Sequence, residues 1–288
     1  MIITVIGLGL IGGSIALDLR ANGHLVIGVD DNTSHLDQAL DLKLVDTTEI
    51  LESALSKSDV IILAIPIDGI KEILPHILDK IPYNTTVIDV GSTKESICSI
   101  IQSHPKRGRF VAAHPLAGTE YSGPKAALKN LFKGKSNIIC EEDRSDESSL
   151  ETAIDIFNHL GMTTMFMNPK DHDKHMAYVS HLSHISSFML GQTVLEIEKD
   201  EKQIFNLAST GFESTVRLAK SSADTWVPIF KNNKQNISDA LEQYIEFLSK
   251  FKEAVDKGDS VEMHKMITKA NNIRRILLGM KLNVMKLS

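Results

Sequence analysis

Cysteine is nearly missing from this sequence: Cys98 and Cys140 are the only two in 288 residues. Two isolated thiols exclude a disulfide scaffold and a cysteine-rich metal site, and they fit a reducing cytoplasm. Long apolar runs are absent too. Nothing approaches the roughly 20 consecutive apolar residues that cross a bilayer. The start, Met1-Ile2-Ile3-Thr4-Val5-Ile6, lacks the charged leader and small-residue cleavage site of a signal peptide. Basic residues are outnumbered, 31 Lys and Arg against 37 Asp and Glu, and they are scattered. A net charge of −6 without a basic stripe leaves nucleic acid nothing to bind. The expectation is a cytoplasmic protein with neither a membrane nor a nucleic acid among its partners.

What is present is a two-part chain. Residues 2–6, 25–30, 60–63, 86–89 and 110–113 are short β-branched runs, apolar throughout rather than alternating. That pattern belongs to strands of a parallel sheet covered on both faces. Helical stretches at 12–21, 67–79 and 94–103 separate them, and a further strand, helix and strand follow at 137–140, 146–160 and 162–167. Alternating elements of this kind predict an α/β, Rossmann-type doubly wound sheet over residues 1–168. Past Asn168-Pro169 no strand is predicted. Leu241, Tyr244, Ile245 and Leu248 illustrate the helical spacing that runs to the end, so residues 169–288 are expected to form an all-α domain.

The first strand runs into Gly7-Leu8-Gly9-Leu10-Ile11-Gly12-Gly13-Ser14. A G-x-G-x-x-G string alone says little. Here it follows a strand, opens a helix and precedes a second strand ending at Asp30, which is the arrangement that binds a dinucleotide. Gly7 permits the tight turn, Gly9 the approach of a pyrophosphate, and Gly12 close packing of helix on strand. The N–H groups at Leu10 and Ile11 begin a helix whose end favours phosphate. Asp30 stands where a carboxylate accepts both ribose hydroxyls and repels the 2′-phosphate of NADP, so NAD is the expected cofactor.

Ligands of open parallel sheets sit beyond the carboxyl ends of the strands. Two polar motifs fall there: Gly91-Ser92-Thr93-Lys94 and His114-Pro115-Leu116-Ala117-Gly118-Thr119-Glu120. A histidine so placed can take a proton from a substrate hydroxyl, and Ser92 can hold that hydroxyl. A capping serine and a surface histidine in a proline turn are equally open on position alone. The helical part adds Asp171-His172-Asp173, His175 and Ser180-His181-Leu182-Ser183-His184. Imidazoles three or four apart share a helix face as zinc ligands do, but neither cysteine nor H-E-x-x-H accompanies them, so no metal is expected. Arg217 closes Gly211-Phe212-Glu213-Ser214-Thr215-Val216-Arg217 and gains meaning only against an anionic substrate.

In this order the motifs resemble the prephenate and arogenate dehydrogenases of tyrosine biosynthesis, over nearly the whole chain, down to the Trp226 that follows. The resemblance implies that Ser92 and His114 contact the reacting ring hydroxyl, and that Ser180, His181 and His184 line the substrate pocket. It also implies that Arg217 binds a substrate carboxylate and that Glu120 gates the pocket. Ser183 stands where the family commonly has proline, and Thr93 where it often has valine; neither change removes a reactive group. The implied reaction is NAD-dependent oxidative decarboxylation of prephenate, with arogenate as the alternative substrate. The base is expected to titrate near neutrality. A homodimer through the helical part is also implied, in keeping with apolar Phe205, Leu207, Phe247, Leu248, Ile276 and Leu277. A dehydrogenase of the β-hydroxyacid or imine-reductase kind shares the plan but leans on a helical-domain lysine. A catalytically idle NAD-binding module has no use for polar groups at strand ends.

Overall fold

The β-branched runs become the centre of a single sheet. In the computed structural model, which describes residues 1–199 and 209–278, the strands are β1 (Ile2–Ile6), β2 (Leu25–Val29), β3 (Thr47–Thr48), β4 (Val60–Leu63), β5 (Thr86–Asp89), β6 (Phe110–Pro115), β7 (Ser136–Cys140) and β8 (Thr163–Met167). Their order is β3-β2-β1-β4-β5-β6-β7-β8. Strands β1 to β6 pair in parallel, with Ile3 opposite Val26 on one side and Val60 on the other. The central strands are buried on both faces, which is why they read as unbroken apolar runs. One face carries helices Leu10–Ala21, Thr33–Asp41 and Glu147–His159 over a core of Val5, Ile15, Leu19, Val111 and Phe157. The other carries Ile67–Lys80 and Glu95–Ile100 over Leu63, Leu74, Ile97 and Ala112.

One feature departs from the expected parallel sheet. Strand β7 pairs antiparallel to β6, with His114 opposite Ile138, so β7 and β8 run against the rest. A parallel neighbour would need a crossover back to the other end of the sheet. The chain from Leu116 to Lys135 instead stays at the carboxyl end and carries only a short 3₁₀ turn, Pro124–Ala126. It is stitched to helix Leu10–Ala21: Ser14 Oγ accepts from the Leu128 N–H (2.9 Å), and the Asp18 carboxylate accepts from the Asn130 N–H (3.0 and 3.1 Å). The two-residue edge strand β3 is too short and polar to carry a sequence signal.

After Met167 the described residues hold no further strand. The segment from Pro169 to Asn232 forms helices Pro169–Met176, Leu182–Glu198, Thr210–Val216 and Ala223–Asn232, with a π turn at Ala177–His181. By compactness these helices belong with the sheet in a unit spanning Met1–Lys234. The remainder, Gln235–Ser288, is a second unit. Its described part contains the long helix that starts at Lys234 and ends at Asp256, then helix Ser260–Asn271, whose first turn is capped by Asp259 on the Glu262 N–H (3.0 Å). Among the described residues no helix is long and apolar enough to cross a membrane.

The glycine turn between β1 and helix Leu10–Ala21 is dictated by contact. Gly7 has φ +92°, and a Cβ on Gly12 would lie 1.8 Å from the Gly7 carbonyl oxygen. A Cβ on Gly9 would meet nothing within 4 Å. Gly12→Ala should therefore lower stability by about 1–3 kcal/mol, the usual cost of overpacking, whereas Gly9→Ala should melt like the parent. Thermal melts without ligand test this, and equal losses at the two positions would contradict the contact argument.

Candidate active site

The turn is shaped to hold a dinucleotide. Helix Leu10–Ala21 has no side-chain cap and no acidic residue in its first turn, so its leading N–H groups face the open space beside Gly9. An uncapped helix start with room in front of it attracts phosphate. The turn also lies where β1 stands between β2 and β4, the switch point of the sheet. Asp30, just past β2, is nearly buried. Its Oδ2 accepts from the Leu8 N–H (2.8 Å) and its Oδ1 from the Asn32 N–H (3.0 Å). The carboxylate thus ties the glycine turn to the following loop and keeps lone pairs for a ribose. His35 Nδ1 stands 3.3 Å from Asp30 Oδ1, a neighbour that sequence spacing did not single out.

At the carboxyl ends of β5 and β6 a chain of hydrogen bonds runs inward from His114. His114 Nδ1 lies 2.8 Å from His172 Nε2, and His172 Nδ1 lies 2.7 Å from Asp173 Oδ1. Asp173 Oδ1 also accepts from the Lys94 N–H (2.8 Å), and Oδ2 from the Glu95 N–H (3.0 Å). His172 and Asp173 are fully buried, while His114 is half-buried. A carboxylate only accepts, so His172 Nδ1 donates its proton to Asp173. His172 Nε2 then presents a lone pair, and His114 Nδ1 must donate to it. By this assignment of tautomers the lone pair of His114 Nε2 is left over, available as a base. Burial, with the nearby His172 and the Lys94 cation, holds the His114 imidazole well below the ordinary histidine range. The ring is neutral at pH 7, and its titration lies lower than the near-neutral value expected from the sequence.

The helical segment supplies the other wall. His184 stacks on Trp226 with ring centroids 3.5 Å apart and donates from Nδ1 to the Ser180 carbonyl (3.0 Å). Burial lowers its proton affinity. His181, expected to line the pocket, is 1% exposed, with its ring edge-on to Trp226 and Phe230. Its Nδ1 accepts from Asn233 Nδ2 (3.2 Å), which also donates to the Asp173 carbonyl (2.6 Å). Burial pushes His181 down to about 4, so it is a neutral strut behind the site rather than a surface of it. His181 closes the π turn at Ala177–His181.

Arg217 and Glu120, almost a hundred residues apart in sequence, meet: Arg217 Nη1 donates to Glu120 Oε2 at 3.0 Å. Arg217 is exposed and Glu120 largely covered. The carboxyl of Glu120 is held below the usual range, first by its own backbone N–H and then by Arg217. Ser92 is half-buried at the end of β5, between buried Gly91 and Thr93. The sequence reading did not give roles to His172, Asp173, Lys94 or Asn233. The D-H-D string was visible as a polar cluster, but only packing shows which of its members faces His114.

Comparison with known proteins gives the same picture. Residues 15–165 match the nucleotide-binding domain of prephenate dehydrogenase, and residues 168–269 its dimerization domain. Prephenate dehydrogenase of Bacillus subtilis is 29% identical over 277 residues, 94% of this chain and 75% of that one. Cyclohexadienyl dehydrogenase of Zymomonas mobilis is 27% identical, over 89% of both chains. Among solved structures, prephenate dehydrogenase from A. aeolicus in complex with hydroxyphenyl propionate and NAD+ superposes with a TM-score of 0.86 at 29% identity, covering 96% of this chain and 98% of that one. Arogenate dehydrogenase of Synechocystis gives 0.75 at 29% identity, covering 96% and 100%. With both halves of the chain matched in order, this protein belongs to the prephenate dehydrogenase family.

Proposed function

We propose that the chain oxidatively decarboxylates prephenate with NAD, giving 4-hydroxyphenylpyruvate, with arogenate as the alternative substrate. The observation that carries this is the His114–His172–Asp173 chain, which leaves one ring nitrogen of His114 free and unprotonated at the carboxyl end of the sheet. Bound NAD supplies the hydride acceptor for C4 of the ring, whose carboxylate leaves as carbon dioxide while the ring becomes aromatic. His114 Nε2 takes the proton of the C4 hydroxyl, and Ser92 orients that hydroxyl. Arg217 receives a substrate carboxylate in place of Glu120, an exchange that keeps the arginine paired before and after binding. Ser180 and His184, backed by Trp226, form the wall of the substrate pocket. Gly7, Gly9, Leu10, Ile11, Gly12 and Asp30 hold the dinucleotide. The division between nucleotide-binding and substrate-binding parts is placed near residue 168, where the last strand ends.

We further propose a homodimer joined through the helical part. Phe247, Leu248, Ile276 and Leu277 are exposed, as are Met189, Leu195 and Val227. So much apolar surface is more than a monomer leaves in water. Phe205 and Leu207, singled out in the sequence, lie outside the described residues. Cys98 and Cys140 are buried free thiols, in keeping with a cytoplasmic protein.

Five outcomes are expected. His114→Asn should cut kcat by roughly 10²–10⁴, with little change in KM for prephenate. Arg217→Ala should act mainly on KM, at a cost of about 2–5 kcal/mol. Because burial lowers His114, wild-type kcat/KM should be level through pH 7 and fall only below pH 6.5, as the ring takes up a proton; His114→Asn should lose that limb. An active His114→Asn enzyme with the parental pH profile would defeat the mechanism. Asp30→Ser should weaken NAD and relax discrimination against NADP, and equal wild-type efficiency with both cofactors would count against this role for Asp30. Light scattering at micromolar concentration should give twice the 31.8 kDa chain mass, a monomer being the contrary result. Steady-state rates with prephenate and with arogenate decide between the two substrates.

A further inference from the structure

Lys94 is a fully buried lysine, and so is the carboxylate it meets, Asp89 at the end of β5. Its ammonium donates to Asp89 Oδ2 and to the carbonyl oxygen of Ala113 (2.7 Å), the residue before His114. Its main-chain N–H donates to Asp173 Oδ1 (2.8 Å), which also accepts from the His172 ring. One residue therefore touches the end of β5, the peptide that carries the proposed base, and the carboxylate that ends the hydrogen-bond chain. Buried ion pairs contribute little net stability, because desolvation cancels most of the attraction. Fold stability alone is a weak reason for this one, the more so as Asp89 Oδ1 has no hydrogen-bond partner among the described residues.

We propose that Lys94 is a positioning residue for the reaction: its ammonium fixes the Ala113 carbonyl, and with it the seat of His114 against His172. This rests on the reading of His114 as the base. The groups facing His114 are His172 and, beyond it, Asp173 from helix Pro169–Met176, Lys94 with Asp89 from the end of β5, and His181 from the π turn. His181 is neutral at working pH. Lys94 is the cation among them, and it opposes a second positive charge on His114. Taking it away alone leaves the ring easier to protonate, so the acid limb of the pH profile moves up.

The test uses the full-length enzyme with prephenate and NAD across pH 5–9. In the paired variant Asp89→Asn/Lys94→Met no buried charge is left alone, and such replacements usually keep the fold. Its kcat should fall about 10- to 100-fold, the effect of a misplaced catalytic group, with KM for NAD unchanged. Lys94→Arg keeps the cation, but its planar, wider head cannot sit on the same two oxygens without displacing Ala113. It should lose kcat while its acid limb stays at the parental pH. Wild-type kcat in the paired variant would overturn the proposal. If that variant does not fold, parental kcat in Lys94→Arg overturns it and reduced kcat with an unmoved limb supports it. His114→Asn run alongside separates the two readings: an active, pH-unaltered His114→Asn enzyme fails the base itself, whereas an inactive one with indifferent Lys94 variants fails only the role of Lys94.

Discussion

The Asp173 carboxylate accepts three hydrogen bonds from three places: the N–H groups of Lys94 and Glu95 and the ring of His172. The two N–H groups open the helix that follows β5, so the buried carboxylate also answers a helix start that would otherwise need a cap. Helix Pro169–Met176 is held to the sheet at the place where the chemistry is expected. Removing this one group would leave two backbone donors and an imidazole unsatisfied out of water, each a substantial cost. The orientation of His172, the tautomer of His114 and the hold of Asn233 on the Asp173 carbonyl all depend on it.

Low dielectric sets the electrostatics of the site. His114, His181 and His184 are all shifted toward the neutral form, with burial the leading cause in each case. A cluster of imidazoles that shared protonation would repel one another and a neighbouring lysine. Kept neutral, His114 packs edge-on to His172, His181 edge-on to Trp226 and Phe230, and His184 stacked on Trp226. Arg217 stays exposed, paired with Glu120.

Much of this could be read in the sequence where local pattern and function coincide. The central strands are visible because a parallel sheet buried on both sides demands uninterrupted apolar runs, and the glycine turn because only particular backbone contacts allow it. The reversal at β7 was not visible, since nothing in residues 116–135 states at which end of the sheet the chain will return. The D-H-D cluster was seen, but the partner of His172 depends on a helix docking against a strand end some sixty residues earlier in the chain. His181 was expected in the pocket because the resemblance carried over the whole S-H-L-x-H segment, and a motif does not state which of its side chains is buried; here His181 is, against Trp226 and Phe230. Lys94 was hidden for the opposite reason: a lysine reads as surface, and its burial follows from a carboxylate five positions earlier and a carbonyl on the next strand.

The stitching of the β6–β7 connection to helix Leu10–Ala21 divides that connection into a fixed half and a free half. Leu128 and Asn130 are pinned by Ser14 and Asp18, and Pro115 is held in β6. Between them, Gly118, Tyr121 and Ser122 are exposed. Glu120 belongs to this free stretch, whereas His114 precedes it. Lengthening or reshaping the loop at 118–122 would move Glu120 relative to Arg217 and leave His114 where it is. The connection is thus modular: drift in the loop alters the Glu120–Arg217 pair while the contact of His114 with His172 is inherited unchanged.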